Sequence, residues 1–218
     1  MPGAVVWASV STGGDVRVLP DGCIDLLWDG VQLTVAGPDT LAHVHVSPAG
    51  APLWGLRLAP GTGPRVVGIP AGELTNRRVP ADALWDAHRV ERATDALTAG
   101  GAPGRTLEDL ALGWCTPPDA ATAMVEHVAT LAGQGLESTA IADSIGLSAR
   151  QLQRRSVAAF GYGPKTLGRI LRMQRAIALV RQGGRPATVA AHLGFADQAH
   201  LARDVKAMAG VPLGRLLS

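Results

Sequence analysis

An α+β fold is predicted, with a β-rich amino-terminal domain carrying short helices and an all-α carboxy-terminal domain. Three observations predict it. Short apolar runs bounded by Gly, Pro and Asp fill residues 5–69 and then give way to helical spacing. Charge divides along the chain: residues 137–218 hold 12 Lys/Arg against 4 Asp/Glu, a net +8, while residues 1–136 carry a net −6. Aromatics divide the same way. Trp7, Trp28, Trp54, Trp85 and Trp114 all precede Phe160, Tyr162 and Phe195, so two different cores are expected. With 218 residues, 47% of them hydrophobic, both cores can be real. The expected division is a β-rich effector or assembly domain over 1–80, a helical connector over 81–135 and a basic helical domain over 136–218.

The strands come first. VVWASV, DVRVLP, IDLLW, VQLTVAG, AHVHVS and LWGLRLAP are six short runs whose spacing suits a small antiparallel, cupin-like sandwich or barrel. Between two of them, Asp29-Gly30 is a strong hairpin signal. The pattern changes at IPAGELTNRRVPADALW, and apolar residues fall at helical spacing from Asp82 to Leu97. After the Gly-rich break at 100–104, Thr106 is expected to cap a helix with acids in its first turn. Pro117-Pro118-Asp119 opens another helix, running to about Ala132, and Gly133-Gln134-Gly135 is the best domain boundary. Beyond Leu136 everything reads as helix.

Several function classes are excluded early. No apolar run nears the roughly 18 residues of a membrane span. The first residues lack the basic start and apolar core of a secretory signal. Two cysteines, Cys23 and Cys115, build neither a disulfide framework nor a four-thiolate zinc site, which suits a soluble protein of a reducing cytoplasm. Gly61-Thr62-Gly63-Pro64 is no phosphate loop, because no Lys-Ser/Thr follows and no helix is expected there. No cofactor, metal or catalytic set is assigned.

The front half still offers candidates for an effector pocket: Cys23, Asp25, Trp28, His43, His45 and Trp54. Cys23 has acidic neighbours in Asp21 and Asp25, the wrong sign for activating a thiol. Asp21 and Asp25 read as turn and strand-end residues rather than a paired acid and base. His43 and His45 share a strand face, as two metal ligands would, but lack a third ligand nearby. Trp28 and Trp54 are the aromatic candidates for a pocket wall.

The basic half repeats itself. Ala142 precedes Gly146 by four residues and an apolar residue follows; Ala190, Gly194 and Phe195 do the same. Leu152 stands nine before Gly161, and Leu201 nine before Gly210, with Pro164 and Pro212 close behind. Each copy reads as helix, Gly-containing turn, helix: a helix-turn-helix. The small alanine lets the second helix approach, the glycine makes the corner, and Ser148 and Asp197 cap the second helices.

On a 100° wheel, Leu152, Ser156, Ala159 and Phe160 share one side of the first copy. Arg150, Gln151 and Arg154 face the other way, with Gln153 on the flank. Arginine can bind guanine in two-pronged fashion and glutamine can bind adenine, so this outward set suits major-groove reading. Gln198, Ala199, His200 and Arg203 hold the matching positions of the second copy. Ser148, Lys165, Arg169, Arg172, Arg175 and Lys206 suit phosphates, as do Arg181 and Arg185. A lone charged helix would be a solvated surface; two matched copies in a +8 half point to nucleic acid.

The segments IADSIGLSARQLQRR, GYGPKTLGRILRMQRAIAL and GFADQAHLARDVKAMAGVP resemble the AraC/XylS-type transcription regulators over about Leu136 to Leu217. The resemblance implies two helix-turn-helix units bridged by a long helix at LRMQRAIAL. Arg150, Gln153 and Arg154 would enter one major-groove segment, and Gln198, His200 and Arg203 the next. The chain departs from that family at Ser156 and Val205, where a core Phe is common, and at Arg215-Leu216. VLPDGCIDLLWDG, VAGPDT and LRLAPGTGPRVVGIPAGELTNRRV look like the amino-terminal domain of an actinobacterial branch of the same regulators.

The function expected is a cytoplasmic, sequence-specific, effector-responsive DNA-binding regulator. Its expected partners are double-stranded DNA, a small-molecule effector, RNA polymerase and a second copy of itself, without a membrane. The alternatives are an enzyme or DNA-alkyl acceptor using Cys23 or His43 and His45, and an interaction module that has lost DNA binding.

Overall fold

The computed structural model describes residues 3–217. All six expected runs form strands: β1 (Ala4–Val10), β2 (Gly14–Val18), β3 (Ile24–Trp28), β4 (Leu33–Ala36), β5 (His43–Ser47) and β6 (Pro52–Leu58). A seventh, β7 (Arg78–Pro80), has only three residues and ends on proline, too little for a pattern to reveal. The main sheet is antiparallel and open, in the order β1-β6-β3-β4-β7, and β2 and β5 form a separate two-stranded ribbon. The Asp29 carboxylate makes the expected hairpin turn, accepting from the Val31 and Gln32 amides at 2.8 and 2.7 Å.

Strand alternation sorts the two faces of this sheet. Leu26, level with both Val35 and Leu56, makes a fully buried rung across three strands. The opposite face carries charge. Asp25 lies level with Arg57, and its carboxylate accepts from the guanidinium at 3.1 and 3.3 Å. Trp7 packs over Gly55, where a Cβ would come within 2.1 Å of the indole, and Trp7 donates to Asp25 at 3.3 Å.

Helices α1 (Gly63–Val67), α2 (Ala87–Ala99) and α3 (Pro103–Trp114) cover the apolar face of the sheet. Val66, Val67, Trp85, Ala93, Leu97, Leu107 and Ala111 share one core with Leu26 and Leu56. Three boundaries differ from expectation. α1 forms where no helix was expected, started by Pro64 and stopped by left-handed Gly68. α2 begins at Ala87 instead of Asp82, because Asp86 caps it by accepting from the Arg89 amide. α3 begins at Pro103, which leaves Thr106 inside the first turn, bonded back to the Ala102 carbonyl.

The second core is all helical: α4 (Ala120–Gly133), α5 (Ser138–Ser144), α6 (Ala149–Phe160), α7 (Pro164–Arg181), α8 (Pro186–His192) and α9 (Gln198–Ala209). Asp119 and Thr122 cap α4 reciprocally, as the Pro-Pro-Asp start implied. Val128 and Ala132 of α4 are buried with Leu167, Ile170 and Met173 of α7. The expected connector over 81–135 is therefore shared out, with α2 and α3 on the sheet and α4 in the helical core. Gly133-Gln134-Gly135 closes α4, and Arg175 donates to the Gly133 carbonyl at 2.6 Å. No helix among the described residues is long and apolar enough to cross a membrane.

Candidate nucleic-acid interface

The two sequence copies fold as two equivalent units. In each, the carbonyl of the small residue accepts from the apolar residue after the turn: Leu147 to Ala142 and Phe195 to Ala190, both at 2.9 Å. Gly146 and Gly194 take left-handed φ values of 66° and 71°, which lets α5 turn into α6 and α8 into α9 within a few residues. Ala142 and Ala190 are buried where the helices cross. Left-handed Gly161 and Gly210 then end α6 and α9. Helix α7 bridges the units, burying Leu167, Ile170, Met173, Ala176 and Ile177.

The second helix of each unit starts with a cap, and each cap uses a residue expected to read bases. Ser148 accepts from the Gln151 amide, while the Gln151 side chain accepts from the Ser148 amide at 2.9 Å. Asp197 accepts from the His200 amide at 2.5 Å, and His200 Nδ1 accepts from the Ala196 amide at 3.2 Å. Gln151 and His200 thus fold back on their own helices at equivalent positions. His200 also sits edge-on to Phe195, which leaves Nε2 as its outward, donating nitrogen. The Ser-x-x-Gln spacing was a legible signal for the first of these boxes.

Arg150, Gln153 and Arg154 are exposed on α6, and Gln198, Ala199 and Arg203 on α9. The Gln153 amide lies over Gly163, within 2.2 Å of where a Cβ would stand. Arg155, exposed beside Arg154, has its guanidinium 3.3 Å from the Met124 sulfur. Lys165 and Lys206 are exposed.

The arginines assigned to phosphates divide. Arg169 and Arg172 of α7 both bind Asp204 of α9, at 2.9 and 3.5 Å. Arg172 also lies 4.2 Å above the Phe195 ring. Arg175 is held on the end of α4. These three side chains tie helices together, and Asp204, which organises Arg169 and Arg172, carried no distinguishing sequence signal.

The pocket candidates of the front half fall in three places: the Trp28–Trp54 pair, the Cys23–Asp25 stretch at the start of β3, and the ribbon strand of His43 and His45. Trp28 is core, 2% exposed, with Trp54 packed beside it in register. His43 and His45 lie on the separate ribbon, and His45 pairs with Ser47 at 2.5 Å. Asp25 is bound by Arg57, which also bridges to Asp21 at 3.1 Å; that partner was missed because it lies 32 residues away. Burial, reinforced by Asp21, pushes the Cys23 thiol well above its ordinary range, the opposite of an activated nucleophile. No group of three or more His, Cys, Asp or Glu among the described residues could hold a metal. A groove of about 530 Å³ lies instead between α2 and α3, walled by Arg92, Asp109, Leu110 and Trp114.

Residues 141–218 match the family model of a helix-turn-helix domain, and residues 4–80 match a domain of unknown function, DUF6597. Three solved structures from Vibrio cholerae share the fold over nearly the whole chain. ToxT of strain O395, bound to (E)-4-(8-methylnaphthalen-1-yl)but-3-enoic acid, is 10% identical at a TM-score of 0.54, covering 98% of this chain and 97% of its own. An apo ToxT variant from strain SCE256 is 11% identical at 0.53, covering 100% and 97%. Unsaturated fatty acid bound wild-type ToxT of that strain is 11% identical at 0.50, covering 98% and 94%. No curated protein sequence matches the chain.

Paired helix-turn-helix units on a basic half give residues 141–218 the form of a DNA-binding domain. The matched domain lies in an α+β fold that is similar to that of ToxT.

Proposed function

We propose that the protein regulates transcription in the cytoplasm by reading two successive major-groove segments of duplex DNA. The observation that carries this is the matched pair of capped helices, α6 and α9, each with an exposed polar and cationic face. Arg150, Gln153 and Arg154 read the first segment; Gln198, Ala199, Arg203 and the outward Nε2 of His200 read the second. Gln151 contributes only its amide nitrogen, because its oxygen is held in the cap. Lys165, Lys206 and the Ser148 helix start contact phosphates, while Arg169, Arg172 and Arg175 act mainly by holding the helices.

The effector reading comes from the relatives, one of which holds an unsaturated fatty acid and one a naphthalenyl butenoic acid. A small apolar acid is the class of effector that follows for this chain, and RNA polymerase or a second copy are the protein partners. The segments VLPDGCIDLLWDG and VAGPDT favour an actinobacterial branch of these regulators. Selection of bound duplexes from a randomised pool, followed by a salt titration, tests DNA reading. Arg154→Ala and Arg203→Ala should each lose about 1–3 kcal/mol of base discrimination at their own segment. Duplex binding without salt dependence or sequence preference would defeat the reading. Repeating the titration with oleate tests the effector class; unchanged affinity would remove it.

A further inference from the structure

The front domain grips both recognition helices, and at the same place on each. Gly161, the left-handed residue that ends α6, accepts from the Thr75 hydroxyl at 2.9 Å. A Cβ there would meet Thr75 Oγ1 at 2.5 Å and Pro38 Cγ at 2.6 Å, so the turn is seated directly on the front domain. At the end of α9, the Ala209 carbonyl accepts from Arg17 Nη1 at 3.0 Å and the Met208 carbonyl from the Ala42 amide at 2.7 Å. Final-turn carbonyls lack helical partners, and a cation beside them is favourable. The reading faces are left open, since Arg150, Gln153, Arg154, Gln198 and Arg203 remain exposed.

One short segment reaches both grips. Pro38 lies against Gly161 and Ala42 against Met208, so Gly37–Ala42 is a strap between the ends of α6 and α9. Fully extended, the four steps from Pro38 to Ala42 span at most about 14 Å. The strap is fastened along its length. Gly37 donates to the Arg77 carbonyl, and Asn76 donates to the Pro38 carbonyl. The Asn76 side chain accepts from both the amide and the hydroxyl of Thr40. Asp39, 8% exposed, takes both arms of Arg78 at 2.7 and 2.5 Å. Asn76 is the one described non-glycine residue with positive φ, at 58°, a conformation held in place by these bonds. Strap and anchor coincide with the sequence segments VAGPDT and LTNRRV, which DNA contact leaves unexplained.

Helix α7 shares one core with both units, and Asp204 ties it to α9. The strap adds a second attachment, at the C-terminal ends of α6 and α9. We propose that the Gly37–Ala42 strap is a gauge that fixes the spacing and relative angle of the two recognition helices, with Thr75 and Arg17 as positioning residues. The gauge rests on the two-segment reading proposed above.

The test uses the full chain and the duplex it selects from a randomised pool. One base pair is then inserted between the two contacted segments, moving the second by about 3.4 Å and about 35°. The wild type should lose about tenfold or more in affinity on insertion, the price of one lost bidentate contact. In the double variant Thr75→Val, Arg17→Met, which keeps shape but drops both donors, the loss should shrink to about threefold or less. Asn76→Gly keeps the positive φ, removes the Thr40 acceptor and should shift the loss the same way. Simple destabilisation lowers affinity for parent and inserted duplexes alike and leaves their ratio alone. An unchanged ratio in both variants overturns the gauge. If the wild type selects no two-segment duplex, the groove reading itself fails and the gauge falls with it.

Discussion

Asp204 on α9 holds Arg169 on α7 at 2.9 Å, and the same carboxylate reaches Arg172 at 3.5 Å. Its side chain is 13% exposed, so this acid is built into the seam between bridging and reading helices. Arg172 completes the joint by stacking on Phe195 at the turn of the second unit. Replacing Asp204 with Asn releases two guanidinium groups beside the DNA face and loosens α9. Non-specific affinity should rise, and the slope of log K against log salt should steepen by about 1–2. Discrimination between the selected and a scrambled duplex should fall by about 1 kcal/mol or more as α9 loses its orientation. Anisotropy titrations over a salt series measure both; an unaltered slope would return these arginines to their phosphate role.

Ser156 is 2% exposed in the middle of α6, and its hydroxyl has no hydrogen-bond partner among the described residues. A buried polar group left unpaired is unfavourable, and alanine is also the better helix former. Ser156→Ala should therefore raise the unfolding free energy by about 1 kcal/mol. A urea titration reads the change directly, and destabilisation would mean that the hydroxyl is satisfied in solution.

Cys23 should be an unreactive thiol. Burial and Asp21 both favour its protonated form, and its amide is already held by the Asp21 carboxylate at 2.9 Å. In a Cys115→Ser background, disulfide reagents at mild alkaline pH should modify the native chain at least about a hundredfold more slowly than the urea-unfolded chain. Alkylated DNA should leave its mass unchanged. Rapid native labelling would reopen the alkyl-acceptor reading.

Local and repeated features were legible before the structure, and distant pairings were not. The offsets from Leu152 to Gly161 and from Leu201 to Gly210 are set by helix geometry, so counting finds them. The Asp29-Gly30 hairpin and the caps at Ser148, Asp197 and Asp119 are equally local. Outward position on the helix wheel found the exposed Arg150, Arg154 and Arg203, but it also selected Gln151 and His200, whose side chains turn back to cap. Arg172 and Asp204 were harder, because their pairing depends on how α7 crosses α9. The surroundings of the pocket candidates were hidden for the same reason: β3 pairs with β6, which gives Asp25 to Arg57, while β5 leaves the main sheet and takes both histidines with it. Thr75, Asn76 and Arg78 lay inside a recognised segment, yet their shared task appears only when Pro38 and Ala42 are seen against two different helices.

The same strap predicts an acid sensitivity. His43 begins β5 directly after Ala42 and faces the Asp39–Arg78 anchor. Its pKa is lowered below 6.5, first by partial burial and then by the Arg78 charge, with His45 adding to the effect and Asp39 opposing it. Neutral imidazole is therefore the form that suits the folded chain. As pH falls through the unfolded value near 6.5, the unfolded chain takes up a proton that the folded chain resists, so stability drops; above that value the contribution is fully present. The Tm should fall between about pH 7.5 and about pH 5.5, and His43→Gln should remove part of that fall. The quantity that decides is the difference between wild type and variant across the two pH values. A variant whose Tm tracks the wild type throughout would show that His43 titrates as a solvent-exposed residue and places no load on the strap.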